Sequence, residues 1–300
     1  MSLKMSDLMP RIQIGPHSLS RLIIGGNPFS GNSHQTSEAD REMREYHSAA
    51  RILATLRRAE GWGINTFQSR GDNHMMRLVN DHWRAGGRLN WIAQTASERA
   101  DVFANISQIA RAGAIGIYHH GARTDQLWHQ GRIDEVEPYL RAIRDTGCLV
   151  GLGTHIPQVL AYADERSWDL DFYMASLYNL SRPLGQRPSP AGQRTTDERF
   201  QHDDREAMLA AIRNTVRPVL AFKILGAGRL ATSDAALRSA FARTLAGIKP
   251  TDAIVVGVFT KYGDQVARNA RLVLELAGTT SLGRRPRPEA AGATGPVPSA

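Results

Sequence analysis

Apolar residues recur along the chain with two periods. Short runs at 21–25, 64–68, 89–94, 114–119, 149–153, 171–176, 219–224 and 253–257 read as strands. Between them lie longer stretches with helical spacing. In 49–60, Ile52, Leu53, Leu56 and Ala59 share one face, and the pattern at 136–143 is followed by Gly147, a helix stop. Eight strands alternating with helices predict a parallel sheet. Eight repeats favour a single closed α/β barrel, the (β/α)8 or TIM barrel, over an open doubly wound sheet. Residues 11–14 are expected to open a short hairpin before the barrel.

Two stretches break the rhythm. Residues 27–46 are polar and follow the first strand, and 181–204 contain Pro183, Pro188 and Pro190 among glycines, serines and charges. Both follow strands, so both belong at the carboxyl face of the barrel, either as lids or as disordered insertions. The expected organisation is an N-terminal extension or expression scar over 1–10, with Met5 as the natural start, then the barrel over 11–278. The Pro/Gly/Ala/Arg-rich residues 279–300 read as a disordered tail.

Composition narrows the functional classes. With 300 residues and a hydrophobic share of 42%, the chain can bury a large core. No apolar run reaches the roughly 18 residues of a membrane span, and no signal-peptide core opens the sequence, so a cytoplasmic protein without a membrane partner is expected. The lone Cys148, between Gly147 and Leu149, excludes an internal disulfide and reads as a packed strand residue. The net charge of +8 comes from dispersed arginines and a cluster at Arg284, Arg285 and Arg287. No basic stripe with interleaved aromatics accompanies it, so the expected partner is a small molecule and not a nucleic acid, and anionic metabolites would be attracted. Nothing in the sequence sets an oligomeric state.

In a barrel of this kind the strand ends carry the chemistry. Here they supply Asn27; Gln68, Arg70 and Asp72, with His74; Gln94; His119 and His120, with Arg123 and Asp125; Thr154 and His155; Tyr178; and Lys223. Five of the ten histidines, His34, His74, His119, His120 and His155, fall at such ends.

Several ends also resemble the aldo/keto reductases, over roughly 18–273. The segment from Gly63 through Phe67 to Asn73 is similar to that family's second strand, and Leu19 through Gly26 to its opening strand. Ala114 through His119 resembles its fourth strand, which ends in the catalytic His. Tyr178-Asn179-Leu180-Ser181-Arg182 resembles the sixth-strand signature, Leu220 through Gly228 the seventh, and Val256 through Asn269 the closing adenine- and phosphate-binding segment. The resemblance implies the barrel fold and NADP(H) as cofactor, with Phe222 stacking on nicotinamide and Gly226, Gly228, Lys261, Arg268 and Asn269 as further cofactor contacts. It also exposes departures. The positions of the family's Tyr, Lys, Asp and His hold Asn73, Gln94, Gln68 and His119, and its nicotinamide clamp is replaced by Thr154, His155 and Ala175. Neither Asn nor Gln delivers a proton at neutral pH, so the usual reduction route is broken.

The replacements form their own inventory. His119 and His155, on adjacent strand ends, are expected to meet across the pocket as acid and base. Lys223 is a third catalytic candidate, as anion binder ahead of Schiff-base nucleophile. Asn27, Gln68, Arg70, Asp72, Asn73, Gln94, His120 and Tyr178 are the expected substrate contacts. A divalent metal would draw on His119, His155, His74 and Asp72, yet no His-x-His pair lies on a strand and no Glu ends one, so no metal is expected. The resulting expectation is an enzyme acting on a small oxygenated metabolite (sugar, hydroxy acid or carbonyl compound) without the Tyr/Lys/Asp machinery. Two alternatives stay open: an NADP(H)-dependent oxidoreductase with His119 in place of Tyr as proton donor, and a non-catalytic ligand-binding protein derived from reductases.

Overall fold

The computed structural model describes residues 9–182 and 200–282. Its first element is a hairpin, β1 (Arg11–Ile14) paired antiparallel with β2 (His17–Ser20), turning at Gly15 with φ of 53°. The strand β3 (Leu22–Gly25) then starts a regular alternation. The next elements are α1 (Ser37–Tyr46), α2 (Ala49–Gly61), β4 (Thr66–Arg70), α3 (Asn73–Arg84), β5 (Asn90–Gln94), α4 (Val102–Arg111) and β6 (Gly116–His119). After them come α5 (Gly121–His129), α6 (Glu137–Arg144), β7 (Leu149–Thr154), α7 (Pro157–Glu165) and β8 (Phe172–Ser176). The chain closes with α8 (His202–Asn214), β9 (Val219–Phe222), α9 (Asp234–Gly247), β10 (Ala253–Gly257) and α10 (Gln265–Leu282).

The eight strands β3 to β10 are all parallel and close on themselves, β10 pairing with β3 through Ile254↔Leu22 to Gly257↔Gly25. Closure leaves no exposed edge. This is the TIM barrel that the eight-fold alternation predicts. The strand spans differ from the expected ones by at most two residues at each end, because backbone pairing, and not hydrophobicity, decides where a strand begins.

Side chains alternate between two cores, and that alternation sets which groups reach the mouth. Ile23, Ile92, Tyr118, Leu149, Phe172, Met174, Leu220 and Val255 fill the barrel interior, together with Ile12, Ile14 and Leu19 of the hairpin. The hairpin therefore closes the amino-terminal end. Its hold is specific: the Asn65 side chain accepts from the Ser20 backbone N–H at 2.7 Å and donates to the Ser18 carbonyl at 2.8 Å. The outward set, including Ile24, Phe67, Trp91, Ile117, Leu152, Tyr173 and Ala221, packs against the helices. The interior tolerates no excess volume. At Gly151 a Cβ would lie 2.4 Å from Phe172 Cζ and 2.6 Å from Tyr118 Cβ, so glycine leaves room for the two rings.

Residues 27–46, read from sequence as a loop, carry a 3-10 turn at Asn27–Ser30 and the helix α1, whose N-cap Thr36 accepts from the Ala39 N–H at 3.1 Å. The expected loop at 181–204 lies largely outside the described residues, as do most of the expected tail and residues 1–8. Cys148 is buried, its thiol 3.2 Å from the Ala114 carbonyl. Among the described residues no helix is long and apolar enough to cross a membrane.

Candidate functional site

The carboxyl ends of the strands surround a cavity of about 1060 Å³. Its floor is polar. Gln68 Nε2 donates to the Tyr118 hydroxyl at 2.7 Å, and that hydroxyl donates to Gln94 Oε1 at 3.0 Å. Burial pushes the Tyr118 phenol well above its usual pKa, so it keeps its proton and the chain of donors runs one way. Gln68 and Gln94 are thus tied to a residue that sequence reasoning passed over. The available signal was parity: Ile117 is an outward residue, so Tyr118 must point in.

The same parity corrects the expectation for the two histidines that follow. His119 faces outward. Its Nδ1 is 2.8 Å from Thr124 Oγ1 on α5, and its ring stacks on Tyr139 of α6 with centroids 5.2 Å apart. It still contributes to the cavity lining, where Val102, Arg123 and Tyr139 also appear. Burial, with smaller contributions from His120 and Arg123, holds its pKa down to about 3, so it is neutral at pH 7 and has no proton to spare. His120 occupies the inward position. Its Nδ1 lies 2.6 Å from Ser97 Oγ and its backbone N–H donates to Thr95 Oγ1 at 3.1 Å. Burial first, with smaller contributions from His155, Arg70 and Lys223, lowers its pKa to about 4.

His155 is held by a buried carboxylate. Asp125, on α5, is fully buried and accepts from Thr154 Oγ1 at 2.5 Å, from the His155 backbone N–H at 3.2 Å and from His155 Nδ1 at 2.7 Å. A carboxylate accepting from three donors has no hydrogen to return, which assigns the imidazole proton to Nδ1 and the lone pair to Nε2. Glycines make this contact possible. At Gly121 a Cβ would sit 3.1 Å from the Thr154 nitrogen, and at Gly153 one would sit 2.8 Å from the His119 carbonyl oxygen. With glycine at both places, the first turn of α5 lies directly on the end of β7. The His155 ring meets Phe222 edge-on at 5.6 Å.

Lys223, just past β9, has φ of 59°, a left-handed backbone that brings its ammonium to 4.9 Å from the Phe222 ring centre. Arg70 lines the mouth and pairs with Asp72 at 3.3 Å and with Glu98.

Other expected contacts have local duties. Asp72 caps α3 by accepting from the Met75 N–H at 2.9 Å, and Asn73 accepts from the Arg99 guanidinium at 2.8 Å. Tyr178 is buried against Phe200, with ring centres 5.2 Å apart, and is not on the cavity wall. Lys261 pairs with Glu42 of α1 at 2.6 Å. Among the described residues no three His, Cys, Asp or Glu side chains converge on a point that could hold a metal.

A second cavity of about 260 Å³ adjoins the first and shares Asn27, Gln68, Phe222 and Lys223 with it. Gly228, Arg268 and Asn269 line it, whereas Gly226 and Lys261 do not. Two buried atoms on its wall, Arg268 Nε and Asn269 Oδ1, have no hydrogen-bond partner. Residues 27–46 border it and are fastened on two sides: Gln35 donates to the Ala227 carbonyl at 2.7 Å, and Arg229 to the His34 carbonyl at 3.0 Å.

No family model and no curated protein matches the chain. Among solved structures it is similar to 3-dehydroquinate dehydratase from Geobacillus kaustophilus HTA426, with TM-score 0.51 and 13% identity over 91% of this chain and 99% of that one. It is similar also to a truncated 3-deoxy-D-arabino-heptulosonate 7-phosphate synthase from Thermotoga maritima, with TM-score 0.50, 12% identity and coverage of 91% and 93%. A third is glycerol dehydrogenase AKR11B4 from Gluconobacter oxydans, with TM-score 0.49, 12% identity and coverage of 94% and 99%. Likeness at this level of identity shows the barrel and nothing finer.

Burial of a neutral imidazole has a consequence for acid stability. His119 has a native pKa of about 3 against an ordinary 6.5, so below pH 6.5 the unfolded chain binds a proton there that the native state refuses. Stability is therefore lost as pH falls from 6.5 towards 3. At pH 5 the loss from this one group is about 2 kcal/mol. Urea titrations at pH 7.5 and pH 5 should show a drop smaller by about that amount in His119→Gln than in the unsubstituted protein. Equal drops would contradict the assignment.

Proposed function

We propose that the chain is a divergent aldo/keto reductase-like barrel enzyme that moves a proton on a small oxygenated metabolite, with His155 as general base and acid. One observation carries the reading: a fully buried Asp125 orients His155 on the wall of a large polar cavity. An imidazole held at Nδ1 presents Nε2 to a substrate with no rotamer search, the geometry general acid–base catalysis needs. Lys223 and Arg70 place positive charge in the same cavity, where they would polarise a carbonyl or steady a developing oxyanion. Tyr118 and Gln68 offer polar contacts to hydroxyl groups. The order of strand-end motifs supports the reductase-like ancestry, and the replaced Tyr and Lys positions favour chemistry that does without them.

A second reading rests on a different observation, the smaller cavity with its two unpartnered polar atoms. Arg268, Asn269 and Phe222 suit a pyridine dinucleotide, which would supply hydride when bound. In that case the proton would come from His155 as the imidazolium, carrying a second hydrogen on Nε2 with Asp125 at Nδ1, and not from His119, which faces the helices.

Solvent-exchange NMR in D2O against a panel of aldoses, hydroxy acids and α-hydroxy carbonyl compounds tests the first reading. A substrate should take up deuterium at carbon, and His155→Asn and Asp125→Asn should each slow the uptake by about 10²–10⁴-fold. Undiminished uptake in both variants would remove the reading. Quenching of tryptophan fluorescence by NADPH tests the second. Saturation at micromolar nucleotide that weakens at least tenfold in Asn269→Ala is expected if it holds, and no quenching would dismiss it.

A further inference from the structure

The charged residues on the wall of the large cavity are unbalanced. Arg70, Arg99, Arg123 and Lys223 stand against Glu98 alone, four positive groups to one negative. The three arginines also divide into two kinds. Arg70 is engaged by carboxylates, through Asp72 and Glu98. Among the described residues neither Arg99 nor Arg123 has a carboxylate within ion-pair distance, though Arg123 lies in the field of Glu135. Arg99 donates to the amide oxygens of Gln108 at 3.2 Å and Asn73 at 2.8 Å, and Arg123 donates to that of Gln126 at 2.6 Å.

Side-chain amides fix the direction of a guanidinium without cancelling its charge. Each Arg has five N–H donors, and these bonds use two on Arg99 and one on Arg123. Both side chains are half-buried, so solvent screens them less than it would a surface arginine. A guanidinium that is aimed, partly desolvated and not in contact with a carboxylate is suited to bidentate capture of an oxyanion. Asn73, expected from sequence to touch substrate, instead aims one of the two. Arg123 lies close enough to His119 to act on it electrostatically, His119 stacks on Tyr139, and all three line the same cavity as His155 and Lys223. A volume of about 1060 Å³ has room for a ligand that reaches both.

Building on the acid–base reading of His155, we infer that the substrate carries a phosphate or carboxylate remote from its reacting carbon, and that Arg99 and Arg123 seat this anion. The anion fixes one end of the molecule while the other lies at His155, so binding at a distance positions the reacting atoms.

Isothermal titration of the whole chain tests this with inorganic phosphate and citrate as probes and glycerol as the uncharged control. Saturable binding of at least one anion, weakened about tenfold in Arg99→Gln and in Arg123→Gln and partly kept in Arg123→Lys, is the expected result. Binding of phosphate alone or of citrate alone would tell a phosphorylated from a carboxylated substrate, and binding of both would support the seat for either anion. Circular dichroism of each variant establishes that it is folded, and His155→Asn should leave anion affinity within twofold. The inference is overturned if neither anion saturates or if both arginine-to-glutamine variants bind as the unsubstituted protein does. Anion binding with no solvent exchange in any substrate would leave the arginine seat standing and remove His155 chemistry; exchange with no anion binding would do the reverse.

Discussion

A carboxylate buried without a lysine or arginine partner must be satisfied by whatever donors the fold can bring to it. Among the described residues Asp125 has no lysine or arginine partner, and the end of β7 is arranged around it. Its three donors are the Thr154 hydroxyl and the backbone and ring nitrogens of His155. Two glycines, Gly121 and Gly153, let α5 approach closely enough for the contact to form. The orientation of His155 thus follows from the cost of an unsatisfied buried charge, and the site would lose its geometry if that charge were relocated.

Strand parity is the second determinant. In a closed parallel barrel, inward and outward positions alternate along each strand, and the inward ones at the carboxyl ends face the mouth. This brings Gln68, Gln94, Tyr118, His120 and His155 together and sends His119 to the helices. The two adjacent histidines, alike in type, consequently differ in environment. One is buried between β6 and two helices, and the other stands on the cavity wall under the field of His155, Arg70 and Lys223.

Most of the architecture was legible in the sequence, because parallel barrel strands are continuous apolar runs and each is followed by an amphipathic helix. The hairpin, the eight strands and the positions of their ends follow from that pattern. The site was legible only in part. Strand-end position singles out His155, Lys223, Arg70 and the glutamines, and all of them line the cavity. Asp125 was noticed but given no role, since its partner is thirty residues away and the bond depends on a helix-to-strand approach that no local pattern encodes. Tyr118 is not legible from the family resemblance, which points one residue further, to His119. Helix α1 was read as a loop for another reason: its buried face is empty, so hydrophobic periodicity has nothing to show.

The orientation of His155 is open to direct observation. Long-range ¹H–¹⁵N correlation spectra of the ¹⁵N-labelled protein, with the His155 signals assigned by their loss in His155→Asn, report which ring nitrogen bears the proton at neutral pH. The account predicts a single tautomer protonated at Nδ1 in the intact protein, and averaging between tautomers in Asp125→Asn. A proton on Nε2, or averaging already present in the intact protein, would contradict it.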